Sequence, residues 1–390
     1  MDVLKLKEEF NKIYGEGEVR VFHSPGRVNL IGEHIDYNGG YVFPCALEFG
    51  TFGLVRERGD RKVNLASTNF DLKVSVDLDN IVYKEEDDWA NYPKGVMKVM
   101  SDIGYRLSGM DILISGNIPN GAGLSSSASL ELLIAVIIDT LFNGGTADRV
   151  ELVKLSQKAE NTFVGVNCGI MDQFAVGMGK KNKAILLDCA TLKYNYASVE
   201  LGDYTLVIMN TNKRRALNES KYNERRAECD EALSILQKET DIKALCDLTA
   251  EEFDKLEHLL TKENVKNRAK HAVYENERTK KAYEALNSGC IEEFGKLLKA
   301  SHDSLRDLYE VTGRELDTIV AESLKIEGCI GARMTGAGFG GCAIALVKKD
   351  KVDSFMEQVK KNYKELIGYE PSFYLSGIGE GTEEIILSCK

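Results

Sequence analysis

The chain has 390 residues, 43% of them hydrophobic and 28% charged, and a formal net charge of −11 at pH 7. This length exceeds what one hydrophobic core usually organises, so we expect two or three domains. The acidic balance argues against nucleic acid and anionic membranes as partners, because both attract basic surfaces. An anionic cofactor would therefore need local donors or a metal ion.

The cysteines and the apolar segments indicate a soluble, cytoplasmic protein. The nine cysteines are scattered and form no C-x-x-C pair, which is typical of reduced thiols in a long cytoplasmic chain. The first ten residues predict the start of an amphipathic helix and not a signal peptide. The most apolar run, residues 130–142, contains Glu131 and Asp139 and is too short to span a bilayer.

Local patterns in the first quarter of the chain predict helices and half-buried strands. The predicted elements are a helix at 3–14, strands at 19–23, 42–57 and 62–78, and a helix from about 94 to 104. Ser24-Pro25-Gly26 stops the first strand. The mixed apolar alternation of the next two strands is typical of a sheet with one buried face.

A glycine-bounded polar segment follows the first strand. In G-R-V-N-L-I-G-E-H-I-D-Y, residues 26–37, the ionisable side chains Arg27, Glu33, His34 and Asp36 alternate with apolar residues. Half-buried polar groups need hydrogen-bond partners, which a hydroxyl-rich ligand such as a sugar would supply. A hydrogen-bonded structural turn is the alternative interpretation.

A glycine- and serine-rich loop organises the middle of the first half. A predicted strand at 111–115 leads into P-N-G-A-G-L-S-S-S-A-S-L-E, residues 119–131, and then into a helix at 127–142 that is apolar on nearly every face. Small residues allow close backbone approach, and a helix N-terminus attracts anions, usually phosphate. Neither common nucleotide fingerprint applies. A flexible turn followed by a serine N-cap is an equally good interpretation of the loop alone.

The next segments carry two carboxylates. Residues 150–165 predict a helix in which Glu160 lies off the apolar stripe. The glycine-punctuated turn G-V-N-C-G-I-M-D-Q-F, residues 165–174, then delivers Asp172. A functional carboxylate and a helix-capping aspartate are equally compatible with this pattern. Strands are predicted at 183–188 and 204–210.

The second half predicts a helical scaffold and a second glycine-rich segment. Residues 210–226 are strongly basic and predict a mostly solvated helix face. Predicted helices near 223–238, 250–260, 264–287 and 291–306 carry no evident chemistry. Five glycines in residues 331–341 precede a strand at 342–347 and indicate backbone packed closely against a loop or a ligand. A helix at 352–367 and a strand pair from Tyr374 to Leu387 complete the prediction.

Four segments resemble a known enzyme family. Residues 119–129 and G-A-R-M-T-G-A-G-F-G-G-C, residues 331–342, are similar to the phosphate loop and the third motif of the GHMP superfamily, which includes galactokinase, homoserine kinase, mevalonate kinase and phosphomevalonate kinase. Residues 26–37 resemble the galactokinase signature, and E-N-T-F-V-G-V-N-C-G-I-M-D-Q, residues 160–173, also resembles galactokinases. The similarity spans residues 20–345.

The resemblance implies a two-lobed α/β (α+β) kinase with its active site in the cleft between domains 1–205 and 206–390. It implies transfer of the γ-phosphoryl group of ATP, with Mg²⁺, to the C1 hydroxyl of galactose. The expected partners are these small molecules, and the expected oligomeric state is a monomer. An N-acetylgalactosamine kinase and a non-catalytic galactose sensor are the alternatives. The sensors lack the serine-alanine pair that stands here at Ser127-Ala128.

The resemblance also implies roles for individual residues. Those facing the sugar would be Glu33, His34, Ile35, Asp36, Gly169, Asp172 and Tyr222. Those binding nucleotide phosphates would be Gly121, Ala122, Gly123, Leu124, Ser125, Ser126 and Ser127, with Ser67 and Trp89 near the nucleoside. Ser127 and Glu160 would hold Mg²⁺, whose preference for hard oxygen ligands fits this pair. Asp172 would be the general base or orienting carboxylate, and Arg27 would stabilise the transition state.

Overall fold

The computed structural model of the chain describes residues 2–119, 122–213 and 218–386. In these ranges the helices are α1 (Val3–Tyr14), α2 (Asn91–Asp102), α3 (Ser126–Phe142), α4 (Arg149–Ala159), α5 (Met171–Met178), α6 (Asn218–Leu236), α7 (Ala250–Leu256), α8 (Glu263–Asn287), α9 (Ile291–Ser304), α10 (Arg314–Leu324) and α11 (Val352–Ile367). Single π-helical turns follow α4 (Glu160–Val164) and α9 (Leu305–Tyr309).

The strands form three sheets. They are β1 (Arg20–Asn29), β2 (Tyr41–Val42), β3 (Pro44–Glu57), β4 (Lys62–Ser67), β5 (Val74–Asp77), β6 (Met110–Gly116), β7 (Lys183–Asp188), β8 (Tyr194–Ser198), β9 (Tyr204–Asn210), β10 (Cys329–Thr335), β11 (Cys342–Lys348), β12 (Ser372–Leu375) and β13 (Glu383–Glu384). The sheet orders are β13-β1-β3-β6-β4-β5, β10-β11-β9-β12 and β2-β7-β8. Only the β4–β6 pair is parallel among the described strands.

Helix α3 is the centre of the first half. It is buried continuously from Ala128 to Asp139, as its unbroken apolar sequence predicts. It packs on β1 and β3 and against α2, α4 and α5. Because a helix buried on all sides has little freedom to shift, its N-terminus is a rigid mount for the preceding loop.

The second half joins the β9–β12 sheet to helices α6–α11. Strand β11 is buried except at its last residue, β9 and β10 are buried over their last five residues, and α9 and α10 pack on β10. The largest hydrophobic cluster includes residues from both halves, from Phe22 to Tyr363. The two halves therefore share packed core, and the polar groups described below lie where they meet.

Several predictions are confirmed and others are wrong. Helices 3–14 and 352–367 and strands 183–188 and 204–210 have the predicted bounds. The predicted strand 62–78 is two antiparallel strands, β4 and β5. The predicted strand pair 374–387 is wrong, because β12 pairs with β9 and β13 pairs with β1; Leu387 lies outside the described residues. Strands β8 and β10 and helix α10 had no prediction.

The basic segment also differs in part from its prediction. Arg225 is buried, with 8% of its surface exposed, and its Nε donates to the backbone oxygen of Tyr309. It therefore fixes α6 against the turn after α9 instead of facing solvent. Arg214 and Arg215 lie outside the described residues. None of the described helices has the length and hydropathy needed to cross a membrane.

Candidate active site

The first wall of the site is the loop after β1, which we call the sugar loop (residues 30–38). A β-bulge between Pro25 and Arg27 interrupts the pairing of β1 with β3, and such bulges redirect side chains. Gly32 and His34 then adopt φ angles of 97° and 62°, which turn the chain sharply. Polar side chains of the loop consequently point toward the second half of the chain.

Glu33 is the most buried acid of the sugar loop, with 1% of its surface exposed. Its carboxylate accepts hydrogen bonds from the Gly336 backbone N–H and from Asn29 Nδ2, and Arg333 Nη1 lies 3.7 Å away. Burial raises the pKa of the Glu33 carboxyl, and Arg333 opposes the rise. The glycine-rich third motif thus packs against the sugar loop, as its glycine density predicts.

A cavity of about 260 Å³ opens between the two halves. We call it the main cavity. Its lining includes Arg27, Glu33, His34, Asp36, Tyr37, Ser127, Glu160, Cys168, Gly169, Asp172, Tyr222 and Ala337. Acidic, amphipathic and hydroxyl-bearing side chains predominate, which is a surface suited to a polar ligand rather than to a hydrocarbon.

Asp36 and Gly169 lie in direct contact in the main cavity. A Cβ atom added to Gly169 would lie 1.7 Å from Asp36 Oδ2, so only glycine allows this approach. The Asp36 carboxylate accepts hydrogen bonds from the backbone N–H groups of Tyr37 and Met171. Burial, with a smaller contribution from the charge of Asp172, raises the pKa of Asp36 to about 6.

Asp172 is held by three hydrogen bonds. Arg27 Nε and Nη2 each donate to its carboxylate at 2.8 Å, and Ser125 Oγ donates to Oδ2 at 2.6 Å. Arg27 Nη1 also donates to the Gly123 carbonyl at 2.8 Å. Arg27 therefore joins the glycine–serine loop to Asp172, and this bidentate geometry fixes the carboxylate orientation.

Asp172 lies in the first turn of α5 and not in the turn that was predicted for residues 165–174. The helix-capping interpretation is also wrong, since the N-cap position of α5 is Ile170 and no side chain caps it. The sequence pattern allowed Asp172 a functional or a helix-capping role, and its carboxylate is turned toward Arg27.

The serine-cap interpretation of the glycine–serine loop is wrong as well. Ser125 is the N-cap residue of α3 but adopts φ 63° and ψ 50° and makes no side-chain cap bond. A capping serine normally accepts a bond from an N–H of the first turn, whereas the Ser125 hydroxyl donates to Asp172. The first N–H groups of α3 thus stay available to an anion at the positive end of the helix dipole.

A second cavity, of about 180 Å³, adjoins the α3 N-terminus. It is lined by Ser67, Phe70, Trp89, Ser126 and Ser127, among others. The rings of Phe70 and Trp89 are stacked with centroids 6.4 Å apart. Trp89 Nε1 is buried without a hydrogen-bond partner in the described part of the chain. The exposed ring of Phe70 is suited to stacking on a flat heterocycle.

Glu160 and Ser127 meet beside Asp172 in the main cavity. Glu160 accepts a hydrogen bond from Ser127, and burial followed by the charge of Asp172 raises the pKa of Glu160 to about 7. The described residues contain no group of three or more His, Cys, Asp and Glu side chains that could bind a metal alone. One hydroxyl and one carboxylate fit Mg²⁺, which usually keeps several waters and takes other ligands from substrate phosphates.

Three neighbours of Glu160 had no prediction. Gln173 Nε2 donates to Glu160 at 2.6 Å and to Glu131 at 3.0 Å, and the Cys168 thiol donates to Glu160 at 3.4 Å. Glu131 is wholly buried, one helical turn after Ser127. Burial and the neighbouring Glu160 raise the pKa of Glu131 well above its usual range. The sequence signal for Gln173 was its place directly after Asp172 in the galactokinase-like segment of residues 160–173.

Three of the predicted residues are apolar and buried, and none of them lines either cavity. Ile35 is wholly buried in the hydrophobic core, so only its backbone could face a sugar. Ala122 and Leu124 are likewise buried in a core cluster, which leaves their backbone to face a phosphate. Gly121 lies outside the described residues.

The fold has relatives among solved structures of kinases. The mevalonate kinase of Methanococcus jannaschii superposes with a TM-score of 0.65 at 20% sequence identity, over 94% of this chain and 99% of that one. The family models described as GHMP kinases N terminal domain and GHMP kinases C terminal match residues 91–180 and 282–365. The chain therefore has the fold of a GHMP kinase.

More similar relatives define the family within that class. The model described as the galactokinase galactose-binding signature matches residues 8–57. A galactokinase of Clostridium tetani is 66% identical over 385 residues, which are 99% of this chain and 98% of the relative. The structure of Lactococcus lactis galactokinase complexed with galactose has a TM-score of 0.96 and 53% identity, with 98% and 100% of the two chains covered.

The chain belongs to the galactokinase family. It is accordingly an enzyme, an ATP-using sugar kinase, and the expectation of the two-lobed GHMP fold is confirmed.

Proposed function

We propose that the main cavity binds galactose and that its C1 hydroxyl receives the γ-phosphoryl group of ATP bound at the N-terminus of α3. The observation that carries this proposal is the double contact of Arg27, which binds Asp172 and the Gly123 carbonyl. One guanidinium thus connects the group that would orient the acceptor with the loop that would hold the donor.

The ATP site would rely on backbone N–H groups and the dipole of α3 more than on cationic side chains. The N–H groups at the start of α3 would bind phosphate oxygens, and the adenosine would occupy the cavity beside Ser67 and Trp89. Ser127 and Glu160 would hold Mg²⁺, which neutralises phosphate charge when bound. The finer assignments of Mg²⁺ and of these nucleotide contacts are part of this proposal.

The acceptor side relies on carboxylates. Glu33, His34, Asp36, Gly169 and Tyr222 line the main cavity and would bind sugar hydroxyls or pack on the sugar ring. Asp172 would accept a hydrogen bond from the C1 hydroxyl and take its proton late in the transfer. Arg27 would orient Asp172 and stabilise charge on the transferring group. Positioning of this kind supplies most of the catalysis in phosphoryl transfer.

A coupled ADP-release assay with MgATP tests the substrate. We expect turnover with galactose to exceed that with N-acetylgalactosamine, glucose or mevalonate, because the sugar loop belongs to the galactokinase signature. Higher turnover with N-acetylgalactosamine would favour the alternative kinase, and nucleotide binding without turnover of any sugar would favour the sensor.

The substitution Asp172→Asn tests the mechanism. We expect kcat to fall by about 10²-fold or more, while calorimetric galactose binding survives because the amide keeps an oxygen acceptor. Asp254→Asn, at an exposed position whose carboxylate accepts a hydrogen bond from Tyr274, is the matched control and should keep full turnover. Near-normal kcat in Asp172→Asn would remove Asp172 from the mechanism.

We further propose a division into domains at about residue 205, a cytoplasmic location and a monomeric state. Sedimentation of the purified chain tests the last of these, and a dimer would contradict it.

A further inference from the structure

A closed ring of hydrogen bonds connects the sugar loop to the helices of the second half. His34 Nδ1 lies 2.8 Å from Tyr37 Oη, which lies 2.8 Å from Tyr309 Oη. Tyr309 Oη lies 3.1 Å from Cys229 Sγ. Asn38 Nδ2 donates both to Cys229 Sγ and to the His34 carbonyl. The ring therefore begins and ends at His34, and two of its five members come from the second half.

The donor and the acceptor of each hydrogen bond in this ring can be assigned from one group, the Ala337 carbonyl. His34 Nε2 lies 3.1 Å from the Ala337 carbonyl oxygen, which can only accept, so Nε2 carries the hydrogen. Burial lowers the pKa of His34 to about 3, so its imidazole is neutral and Nδ1 accepts a hydrogen bond. Tyr37 must then donate to Nδ1, which obliges Tyr309 to donate to Tyr37 and Cys229 to donate to Tyr309.

Tyr309 is fixed so that its hydroxyl has little freedom. It is wholly buried at the end of the π-helical turn after α9, and Arg225 Nε binds its backbone oxygen at 2.8 Å. Its ring packs on the rings of His34 and His271, with centroids 4.9 and 4.6 Å away. His271 in turn contacts the Glu33 carbonyl through Nε2 at 3.1 Å.

We propose that Tyr309 is a positioning residue of the sugar site. Its hydroxyl donates to Tyr37 and so directs the Tyr37 hydroxyl to Nδ1 of His34, whose Nε2–H is held by Ala337. Tyr309 thereby fixes the sugar loop from the second half of the chain. Because both His34 nitrogens are used inside the protein, His34 offers the sugar its ring carbons and backbone, while Glu33 and Asp36 on either side supply the acceptors. This inference rests on the proposed binding of galactose in the main cavity.

Kinetics of Tyr309→Phe and Tyr37→Phe test the inference. Each variant keeps the aromatic ring and removes one hydroxyl, so we expect the KM for galactose to rise about five- to tenfold. The kcat and the KM for ATP should stay within about twofold, because none of these bonds reaches the described residues of the glycine–serine loop. The double variant should be no worse than either single one, since either change breaks the same ring.

The control is Tyr14→Phe, which removes a hydroxyl that binds two carbonyls in the first sheet and should leave the galactose KM unchanged. A galactose KM within twofold of wild type in both ring variants would overturn the inference. So would additive effects in the double variant. If Tyr309→Phe does not fold, Tyr37→Phe still decides, because Tyr37 is half-buried at the cavity.

A direct measurement separates this inference from the proposed function. The protein is labelled with ¹⁵N-histidine, and two-bond nitrogen–proton correlation spectra report the tautomer of each of the five histidines. The signals that disappear in His34→Asn are those of His34. We expect a neutral His34 imidazole with its hydrogen on Nε2 at pH 7 in wild type. In Tyr309→Phe we expect a shifted Nδ1 resonance, because the Tyr37 hydroxyl is then no longer directed to Nδ1. An Nδ1–H or doubly protonated His34 would refute the inference whatever the substrate. Normal tautomers without galactose turnover would instead refute the proposed function.

Discussion

The contact between Gly169 and Asp36 allows a sharp test of the sugar site by Gly169→Ala. A Cβ atom there would lie 1.7 Å from Asp36 Oδ2 and 2.3 Å from Asp36 Cγ. The backbone at Gly169 has no positive φ, so alanine is not strained by the chain itself. The three heavy atoms nearest to the added Cβ all belong to the Asp36 carboxylate, so the methyl group would displace it.

The displacement sets the expected magnitude. Ordinary contact between carbon and a neighbouring heavy atom needs about 3.5 Å, so the Asp36 carboxylate must move by roughly 1.5 Å or more. It would then lose its alignment with the backbone N–H groups of Tyr37 and Met171 and with sugar hydroxyls. A hydrogen bond to a charged group contributes about 1.5–3 kcal/mol, so kcat/KM for galactose should fall about 10- to 100-fold.

The assay is steady-state kinetics with each substrate varied in turn. We expect the KM for galactose to rise in Gly169→Ala while the KM for ATP and the melting temperature stay close to wild type. Gly59→Ala is the matched control, because a Cβ at Gly59 meets nothing within 4 Å. An unchanged galactose KM in Gly169→Ala would show that Asp36 does not bind the sugar, and an equal rise in both KM values would indicate general distortion.

Three further predictions concern charge and packing. Glu160→Gln should raise the Mg²⁺ concentration needed for half-maximal activity, and an unchanged metal titration would count against its assignment. Burial raises the pKa of Asp36 to about 6, and protonation removes the charged acceptor. At saturating ATP, kcat/KM for galactose should therefore decrease as the pH is lowered below about 6. In Asp36→Asn this acidic decrease should be smaller. Leu133→Ala, at a wholly buried position of α3, should lower the free energy of unfolding by about 2–5 kcal/mol in urea titrations, and a loss below 1 kcal/mol would mean that the core around α3 relaxes.

Elements with a clear local period could be predicted from the sequence, and those defined by distant partners could not. The apolar run of α3 has no alternative to burial inside the protein. Helix α10 could have been predicted in the same way, since Leu316, Ile319 and Val320 have helical spacing and are buried. Strand β10, in contrast, overlaps a glycine-rich stretch whose composition masks its period. The pairing of β12 with β9 and of β13 with β1 depends on chain ends brought together by the whole fold, and no local pattern contains that information.

The site was predictable where its residues fall in compact motifs. Arg27, Asp36, Glu160 and Asp172 were singled out from glycine-bounded segments, and the structure places all four around one cavity. Tyr309 was not singled out from the sequence, because its contacts to Tyr37, Cys229 and Arg225 come from distant parts of the chain. The use of Ser125 as a donor to Asp172 was hidden for a related reason, since a serine before a helix is usually a cap.

The return of β13 to the edge of β1 affects how the chain can fold during synthesis. Ile385 N–H donates to the Val21 carbonyl at 2.8 Å, Glu384 pairs with Arg20 at 2.6 Å, and buried Thr382 bonds Ser24. Domains usually fold in the order in which the ribosome makes them, the first one first. Here the first sheet keeps an open edge, a site for unwanted strand pairing, until residues 382–385 have been made. Completion of this sheet therefore waits until the second half has been synthesised, although five of its six strands lie in residues 20–116.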